Sequence, residues 1–325
     1  MLLGQNVWKN LLIHIYTPVV TEERNPCFHY KHLLWFCLKL LPSVLGVLFI
    51  ITLDPATICK ACAYKDKNGK YVKADWYTGD NSPNFNPSVN LAPTMVCPIL
   101  VSRKHFIPDS SSTEFIVKPM IWGLIPPWHK GTQKDHGLTT NNCRVETIQS
   151  KKLYSTPLKK GKRCVVLCDG FYEWKAKKPG DKGPKQPYFI CFPQPKSIKI
   201  EEHETWEGKV EEFWSAEKGW TGPKPFMMAG LFDKWIDPSN KKPVYSFTVV
   251  TMESNPLVSW IHERMPAILE SDEQVQTWLD YVNIDESDAL SSLIPPSNLY
   301  IHPVSPLVNS VKNQDPSLNR EIELK

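Results

Sequence analysis

Proline is the feature that most restricts what this chain can fold into. Twenty-nine prolines stand against 15 glycines in 325 residues, and each proline fixes φ and removes a backbone donor. That density disfavours long helices and favours short strands joined by punctuated loops. A 42 % hydrophobic and 22 % charged composition supplies a sizeable core of ordinary soluble character. The length fits one large domain or two of common size. Twelve tryptophans suit core packing first and base stacking second.

The start of the chain differs from the rest. Residues 33–53, LLWFCLKLLPSVLGVLFIITL, are apolar except for Lys39 and are broken by Pro42. A run of about 20 apolar residues is long enough to span a bilayer. It begins too far in, and lacks the small-residue cleavage site, for a secretory signal. Two readings stay open: a membrane segment, or a leader from an alternative or spurious exon. The expected division is an atypical leader at 1–51, one domain at 52–312 and a short C-terminal tail at 313–325.

From residue 54 onward the pattern predicts one α+β domain, mainly antiparallel β with short helices. Residues 54–64 suit a short helix. Residues 164–168, CVVLC, form a buried strand ending in the turn signal Asp169-Gly170. Residues 187–192 are its expected hairpin partner across a Lys/Gly/Pro-rich loop. Residues 226–235 and 244–252 are two further strands around a polar turn at 238–242. Asp272–Leu279 has helical spacing and an acidic first turn. Residues 201–223, polar with four large aromatics, read as an insertion between strands.

The net charge of +4 is mild, but its distribution is uneven. Lys151, Lys152, Lys159, Lys160, Lys162 and Arg163 form a run without an acid, and Lys175, Lys177, Lys178, Lys182 and Lys185 form a second. Two runs flanking one apolar strand suit a polyanion surface as readily as a pair of solvated loops. Nine cysteines include a single C-x-x-C at Cys59 and Cys62, with no second pair to complete a zinc site. Reduced thiols and an intracellular domain without metal are therefore expected.

Four segments concentrate reactive side chains. In Thr139-Thr-Asn-Asn-Cys-Arg-Val-Glu146, Asn142 and Arg144 lie two apart, so in an extended stretch they share a face. Such a pair can hold a sugar oxygen and its phosphate, or simply cap a turn. In Asp169-Gly-Phe-Tyr-Glu-Trp174, Glu173 sits between aromatics after a buried strand. Desolvation there raises a carboxyl pKa and suits acid/base work; a paired structural carboxylate is the alternative. In Trp260-Ile-His-Glu-Arg-Met-Pro266, His262 can shuttle a proton and Arg264 can hold phosphate, or both can pair with acids such as Glu263. Asn90-Leu-Ala-Pro93 and Trp122-Gly-Leu-Ile-Pro-Pro-Trp128 add Asn90 and Trp128. The latter stands on a stiff loop, where it can stack on a base or cover the core.

These segments occur in the order Asn90-Leu-Ala-Pro93, Trp122-Gly-Leu-Ile-Pro126, Asn142-Cys-Arg-Val-Glu-Thr147, Arg163-Cys-Val-Val166, Asp169-Gly-Phe-Tyr-Glu-Trp174, Gln186-Pro-Tyr-Phe-Ile190, Met228-Ala-Gly-Leu-Phe232, Ile261-His-Glu-Arg-Met-Pro266 and His302-Pro-Val-Ser305. In that order they resemble the SOS response-associated peptidase (SRAP) family, over about residues 54–309. The resemblance implies a mainly β fold with a positively charged groove for single-stranded DNA carrying abasic sites. It also implies a cysteine, exposed by loss of the initiator Met, whose amine and thiol close a thiazolidine on the sugar aldehyde, and a thiol autopeptidase activity. By the same resemblance Glu173 is the acid/base, His262 assists ring opening and Asn142 orients the sugar. Arg144 and Arg264 bind flanking phosphates, with Asn90 and Trp128 also at the DNA. No small-molecule cofactor or metal is implied. The implied location is the nucleus, or a membrane if residues 33–53 insert.

The sequence departs from the family at its start. Counting back from Ala61-Cys-Ala-Tyr64 puts the nucleophile's position near Gly46, and no cysteine lies between Cys37 and Cys59. Covalent capture is therefore expected to be lost, with DNA binding retained. The C-terminal motif through which the family meets replication-fork proteins is likewise absent from this sequence. Two other functions remain as alternatives: a reader of single-stranded or modified DNA without catalysis, and a cysteine peptidase using Cys143 or Cys168 with His262.

Overall fold

The apolar runs become strands, and two central ones accommodate a proline each, Pro98 and Pro119, which lie opposite one another in register. The computed structural model describes residues 48–324 apart from 80, 134, 178, 179 and 181. The chain opens with β1 (Leu48–Ile51), helix α1 (Pro55–Ala61), a small ribbon of β2 (Tyr64–Lys65) and β3 (Tyr71–Val72), and β4 (Asp75–Trp76). Next come β5 (Ser88–Leu91), β6 (Val96–Ser102), β7 (Phe115–Trp122), β8 (Asn142–Arg144) and helix α2 (Lys152–Lys159). The centre of the fold is β9 (Arg163–Cys168), β10 (Gly170–Trp174) and β11 (Pro187–Cys191), followed by a second ribbon, β12 (Trp214–Ser215) and β13 (Gly219–Trp220). The 11-residue strands β14 (Phe226–Ile236) and β15 (Pro243–Glu253) precede β16 (Arg264–Pro266), α3 (Asp272–Leu279), α4 (Glu286–Ser291) and β17 (Tyr300–Pro303).

Two sheets carry the core. In one, β15, β14, β9, β6 and β7 are neighbours in that order, and β7 returns to pair in parallel with β15 through Ile121 opposite Ser246 and Trp122 opposite Phe247. The five strands therefore close into a ring, which leaves no long free edge. The second sheet has the order β17-β11-β10-β1-β5. Helix α3 begins at a capping box formed by Ser271 and Gln274. It buries Val275, Trp278 and Leu279, and the Trp278 indole N–H donates to the Cys164 carbonyl at 2.8 Å.

Three expectations change here. Residues 187–191 pair with β10, with Glu173 opposite Tyr188, and not with β9, which runs between β14 and β6. The cause is a crossing between sheets at Asp169. Its buried carboxylate accepts the Thr52 backbone N–H at 2.8 Å and the Thr52 hydroxyl. A Cβ on Gly170 would come within 2.5 Å of the Phe189 ring and 2.6 Å of the Ile190 carbonyl, so only glycine lets β11 approach. Secondly, residues 48–51 of the apolar run are a fully buried strand between β10 and β5, so the domain begins before residue 52. The rest of residues 33–53, apart from 52 and 53, lies outside the described residues, none of whose helices is long and apolar enough to cross a membrane. Thirdly, the expected tail belongs to the domain. Leu318 is buried in one cluster with Leu48, Ile50, Tyr172, Phe189, Val304 and Val308.

The helix at Pro55–Ala61, the hairpin of β14 and β15 and the helix at Asp272–Leu279 fall where the sequence pattern puts them. The 201–223 segment is tied down. Trp206 is buried, its indole donating to the Lys199 carbonyl, and Glu211 pairs with the buried Lys60 of α1.

Candidate functional site

Strand β15 lays out the site. Its Ser246 hydroxyl accepts the Ile125 N–H at 2.8 Å, anchoring the proline loop that ends in Trp128. Val249, Val250 and Thr251 lie opposite Asn142, Cys143 and Arg144 of β8, in parallel. Glu253 lies opposite Arg264 of β16, and the Ser254 N–H donates to the Glu263 carbonyl beside His262. From Ser246 to Glu253 the strand advances about 24 Å at ~3.4 Å per residue.

The three residues of β8 alternate as a strand must. Cys143 points inward and is buried, whereas Asn142 is half-buried and Arg144 exposed. The strand is held by Val249 N–H to the Asn141 carbonyl at 3.0 Å, by the Trp122 indole to the same carbonyl at 3.0 Å, and by Tyr154 Oη to the Asn142 carbonyl at 3.4 Å. Yet the Asn142 amide nitrogen is out of solvent contact without a hydrogen-bond partner among the described residues. A buried donor left this way costs about 1–3 kcal/mol.

Glu173 supplies the complementary orphan. It is 3 % exposed. Its Oε1 accepts the Trp174 N–H at 3.0 Å, while Oε2 is buried with no partner among the described residues. Burial pushes its carboxyl up to about 7; the Trp174 N–H and the Lys185 charge pull less strongly the other way. At neutral pH this group can both give and take a proton.

His262 is half-buried, and its Nδ1 lies 3.0 Å from the Arg264 backbone nitrogen and 3.2 Å from the Arg264 carbonyl oxygen. Where Nδ1 accepts the backbone N–H, the shorter of the two contacts, the proton of the neutral ring sits on Nε2. The Ala176 N–H donates to the Ile261 carbonyl at 2.9 Å, joining the end of β10, three residues past Glu173, to the residue before His262. From the other side Phe49 of β1 stacks on Trp122 at 4.0 Å. Phe49 lies opposite Phe171 of β10, and Trp122 bonds Asn141 beside Asn142. Glu173, His262, Asn142 and Arg144 thus come from strand ends that are tied to one another.

Two expected DNA contacts sit in the interior instead. Asn90 is 0 % exposed, and its amide nitrogen donates to the carbonyls of Val308 and Ser310, each at 3.0 Å, and of Asn313 at 3.5 Å. It ties the C-terminal segment to β5. Arg264 is 6 % exposed and committed: its guanidinium bonds both oxygens of Glu146, at 2.7 and 3.0 Å, and the Thr251 carbonyl at 2.8 Å. Glu146, two residues past Arg144 on the same short segment, is the acid that Arg264 pairs with, in place of the adjacent Glu263. The Arg264 guanidinium holds the Glu146 carboxyl below the usual range. Trp128, by contrast, is 54 % exposed on its loop.

The basic runs also divide. Lys151, Lys152, Lys159 and Lys160 are exposed, as are Lys175, Lys177, Lys182 and Lys185. Arg163 instead is buried, donating to the Ile284 and Asp285 carbonyls, and Lys162 pairs with Asp233. Every described cysteine is buried. Burial pushes the Cys143 thiol up to about 12 and Cys168 well above its ordinary value, so neither supplies the thiolate a peptidase nucleophile needs. Among the described residues no group of three or more His, Cys, Asp or Glu side chains is placed to hold a metal ion.

Known proteins resemble this chain over most of its length. A family model for SOS response associated peptidase (SRAP) matches residues 49–311. Abasic site processing protein HMCES of Gallus gallus is 40 % identical over 274 residues, covering 84 % of this chain and 76 % of that protein. The Xenopus tropicalis protein of that name is 42 % identical over 266 residues, covering 82 % and 75 %. Abasic site processing protein YoqW of Bacillus subtilis is 33 % identical over 237 residues, covering 72 % and 86 %. The fold is similar to crystal structures of a protein from Bacteroides thetaiotaomicron, with TM-score 0.52 and 24 % identity over 73 % of this chain and 86 % of that one. A protein from Bordetella bronchiseptica gives TM-score 0.53 and 18 % identity over 80 % and 99 %.

Proposed function

This chain belongs to the SOS response associated peptidase (SRAP) family, and from that premise we propose that it recognises abasic sites in single-stranded DNA and moves protons on the exposed sugar. The observation that carries this reading is that Asn142 Nδ2 and Glu173 Oε2, two of the buried atoms without a partner among the described residues, lie on strands tied to one another through Phe49 and Trp122. A donor and an acceptor left without partners are matched by a ligand that offers an oxygen to one and a hydroxyl to the other. The sugar of an abasic nucleotide does both once its ring opens to an aldehyde and a hydroxyl.

Each group then has a task. Asn142 donates to the sugar oxygen and orients it. Glu173, poised near pH 7, takes the proton of the anomeric hydroxyl and returns one to the ring oxygen as the ring opens. His262, with its Nε2–H, steadies the oxygen on which charge develops. Arg144, exposed beside Asn142, meets the adjoining phosphate. Arg264 acts through Glu146 and Thr251, fixing the strand that carries Arg144. The exposed lysines on and around α2 and in the 175–185 segment add the sequence-independent attraction for the backbone.

A stable thiazolidine needs an amine and a thiol on one N-terminal residue, and this sequence has Gly46 where counting places that residue. We therefore assign this sequence recognition and proton transfer without a lasting covalent bond. Incubation with abasic and intact single-stranded oligonucleotides, followed by heating in denaturant, tests both halves. The expected result is preferential binding of the abasic strand with no heat-stable adduct. A heat-stable adduct overturns the non-covalent assignment, and equal affinity for abasic and intact strands overturns the reading itself.

A further inference from the structure

One aromatic at this site has no part in the reading so far. Trp260 is 45 % exposed and lies two residues before His262. Its indole N–H donates to the Leu257 carbonyl at 2.9 Å, which fixes the orientation of the ring. Tyr188, the residue opposite Glu173 in β11, meets it nearly perpendicularly, with centroids 4.9 Å apart. The ammonium of Lys175 lies over its ring at 5.1 Å from the centroid. An indole this exposed, held by a hydrogen bond and a neighbouring ring, keeps its orientation before any ligand arrives. Covering the core would not need an exposed face.

The order along β15 gives this ring a meaning. Trp128 is anchored at the Ser246 end, Asn142 and Arg144 lie opposite Val249 and Thr251, and the His262 turn that carries Trp260 follows the Glu253 end. The sugar–phosphate groups therefore lie between two exposed tryptophans. We propose that Trp260 is a stacking platform for the nucleobase next to the abasic nucleotide, on the side away from Trp128. Lys175 swings from the ring to the phosphate of that neighbouring nucleotide as the base takes its place. The occupant is a base because a planar π face fits a pre-oriented indole without regard to sequence. The cation over the ring and the exposed lysines at 175, 177, 182 and 185 match the charge of the strand that brings it.

This inference rests on the abasic-DNA reading and refines it. The test pairs protein and DNA deletions, measuring affinity by titration with three oligonucleotides. One has an abasic site between two intact nucleotides; in the others, one or other flanking nucleotide is replaced by a base-less tetrahydrofuran spacer. Trp260→Ala is expected to weaken binding of the first oligonucleotide about tenfold. That penalty is expected to vanish with one of the two spacers and to persist with the other, and Trp260→Phe is expected to restore most of the affinity. A penalty unchanged by either spacer, or no penalty at all, overturns the stacking role. Arg144→Ala separates the two levels. If it weakens binding of the abasic strand while Trp260→Ala shows no coupling to a base, only the platform falls; wild-type protein that does not bind the abasic strand removes both.

Discussion

Two asparagines in this molecule hide their amide nitrogens from water, and they do opposite things. Asn90 gives its amide to three backbone carbonyls and ties the C-terminal segment to β5. Asn142 gives its amide to nothing among the described residues. A related contrast divides the arginines: the Arg264 guanidinium bonds Glu146 and Thr251 through its terminal nitrogens, with Nε left without a partner among the described residues, whereas Arg144 stands exposed. An orphaned atom alone does not mark a functional group, since Asn90 Oδ1 and Arg264 Nε are orphans on side chains otherwise tied into the fold. What sets Asn142 apart is that its amide nitrogen makes no bond at all to the described residues, and Glu173, with one satisfied oxygen and one orphan, stands between the two conditions.

The strongest way to sharpen the contrast is through Glu173, because its orphan oxygen has a pH signature. Its folded pKa of about 7 lies above the ordinary 4.5, so the folded state holds this proton more tightly than the unfolded chain. The resulting stability is fully present below about pH 4.5 and is lost as the pH rises through 7. A shift of this size corresponds to about 3 kcal/mol between those limits. Urea denaturation of the wild type at pH 5 and pH 8 is expected to show a fall in stability, to which Asp169, pushed up to about 6 by burial, also contributes. In Glu173→Gln the fall is expected to shrink and stability at pH 8 to rise, while preference for abasic DNA is lost. An unchanged pH dependence in Glu173→Gln would mean that the carboxyl is ionised and paired.

Next in size are the satisfied members of each pair. Arg264→Ala removes charged hydrogen bonds to the buried Thr251 carbonyl and to the exposed carboxylate of Glu146, a loss of about 1–2 kcal/mol once solvent screening of the ion pair is allowed for. Asn90→Ala strands buried carbonyls and is expected to cost about 2 kcal/mol. Arg144→Ala is expected to leave stability within about 0.5 kcal/mol of the wild type, whereas Asn142→Ala, which removes a buried donor without a partner among the described residues, is expected to hold stability or raise it by up to about 1–3 kcal/mol. If Asn142→Ala unfolds the protein as readily as Asn90→Ala, the distinction between the two asparagines collapses.

How much of this was legible beforehand follows the range of the interactions. The period-2 alternation that aims Asn142 and Arg144 away from the core is a property of a few consecutive residues, whereas the burial that lifts Glu173 comes from tertiary packing, because its neighbours Tyr172 and Trp174 pack on the other face of β10. Asn90 and Arg264, which the family resemblance puts at the DNA, turn inward to partners far along the chain, at 308–313 and at 146. The pairing of residues 187–191 went to the wrong strand for the same reason: Asp169 turns the chain between sheets while bonded to Thr52, 117 positions away. Residues 48–51 were read as part of a possible membrane span. A strand buried on both faces is continuously apolar, and periodicity alone cannot tell it from a segment of such a span.

The smallest expected effect is also the most specific to the arginine comparison. Binding to single strands weakens with salt by a slope of about 0.7 per phosphate neutralised. Arg144 is exposed beside the site, so Arg144→Ala removes one contact and is expected to lower the slope of log affinity against log salt by about that amount. Arg264 neutralises Glu146 and not a phosphate. Arg264→Ala, compared at a temperature where it stays folded, is therefore expected to change affinity through the displaced strand while the slope stays put. Affinity titrations across a range of salt concentrations separate the two. Equal changes of slope would place both guanidiniums on the DNA, and the ion pair with Glu146 would have to open when the strand binds.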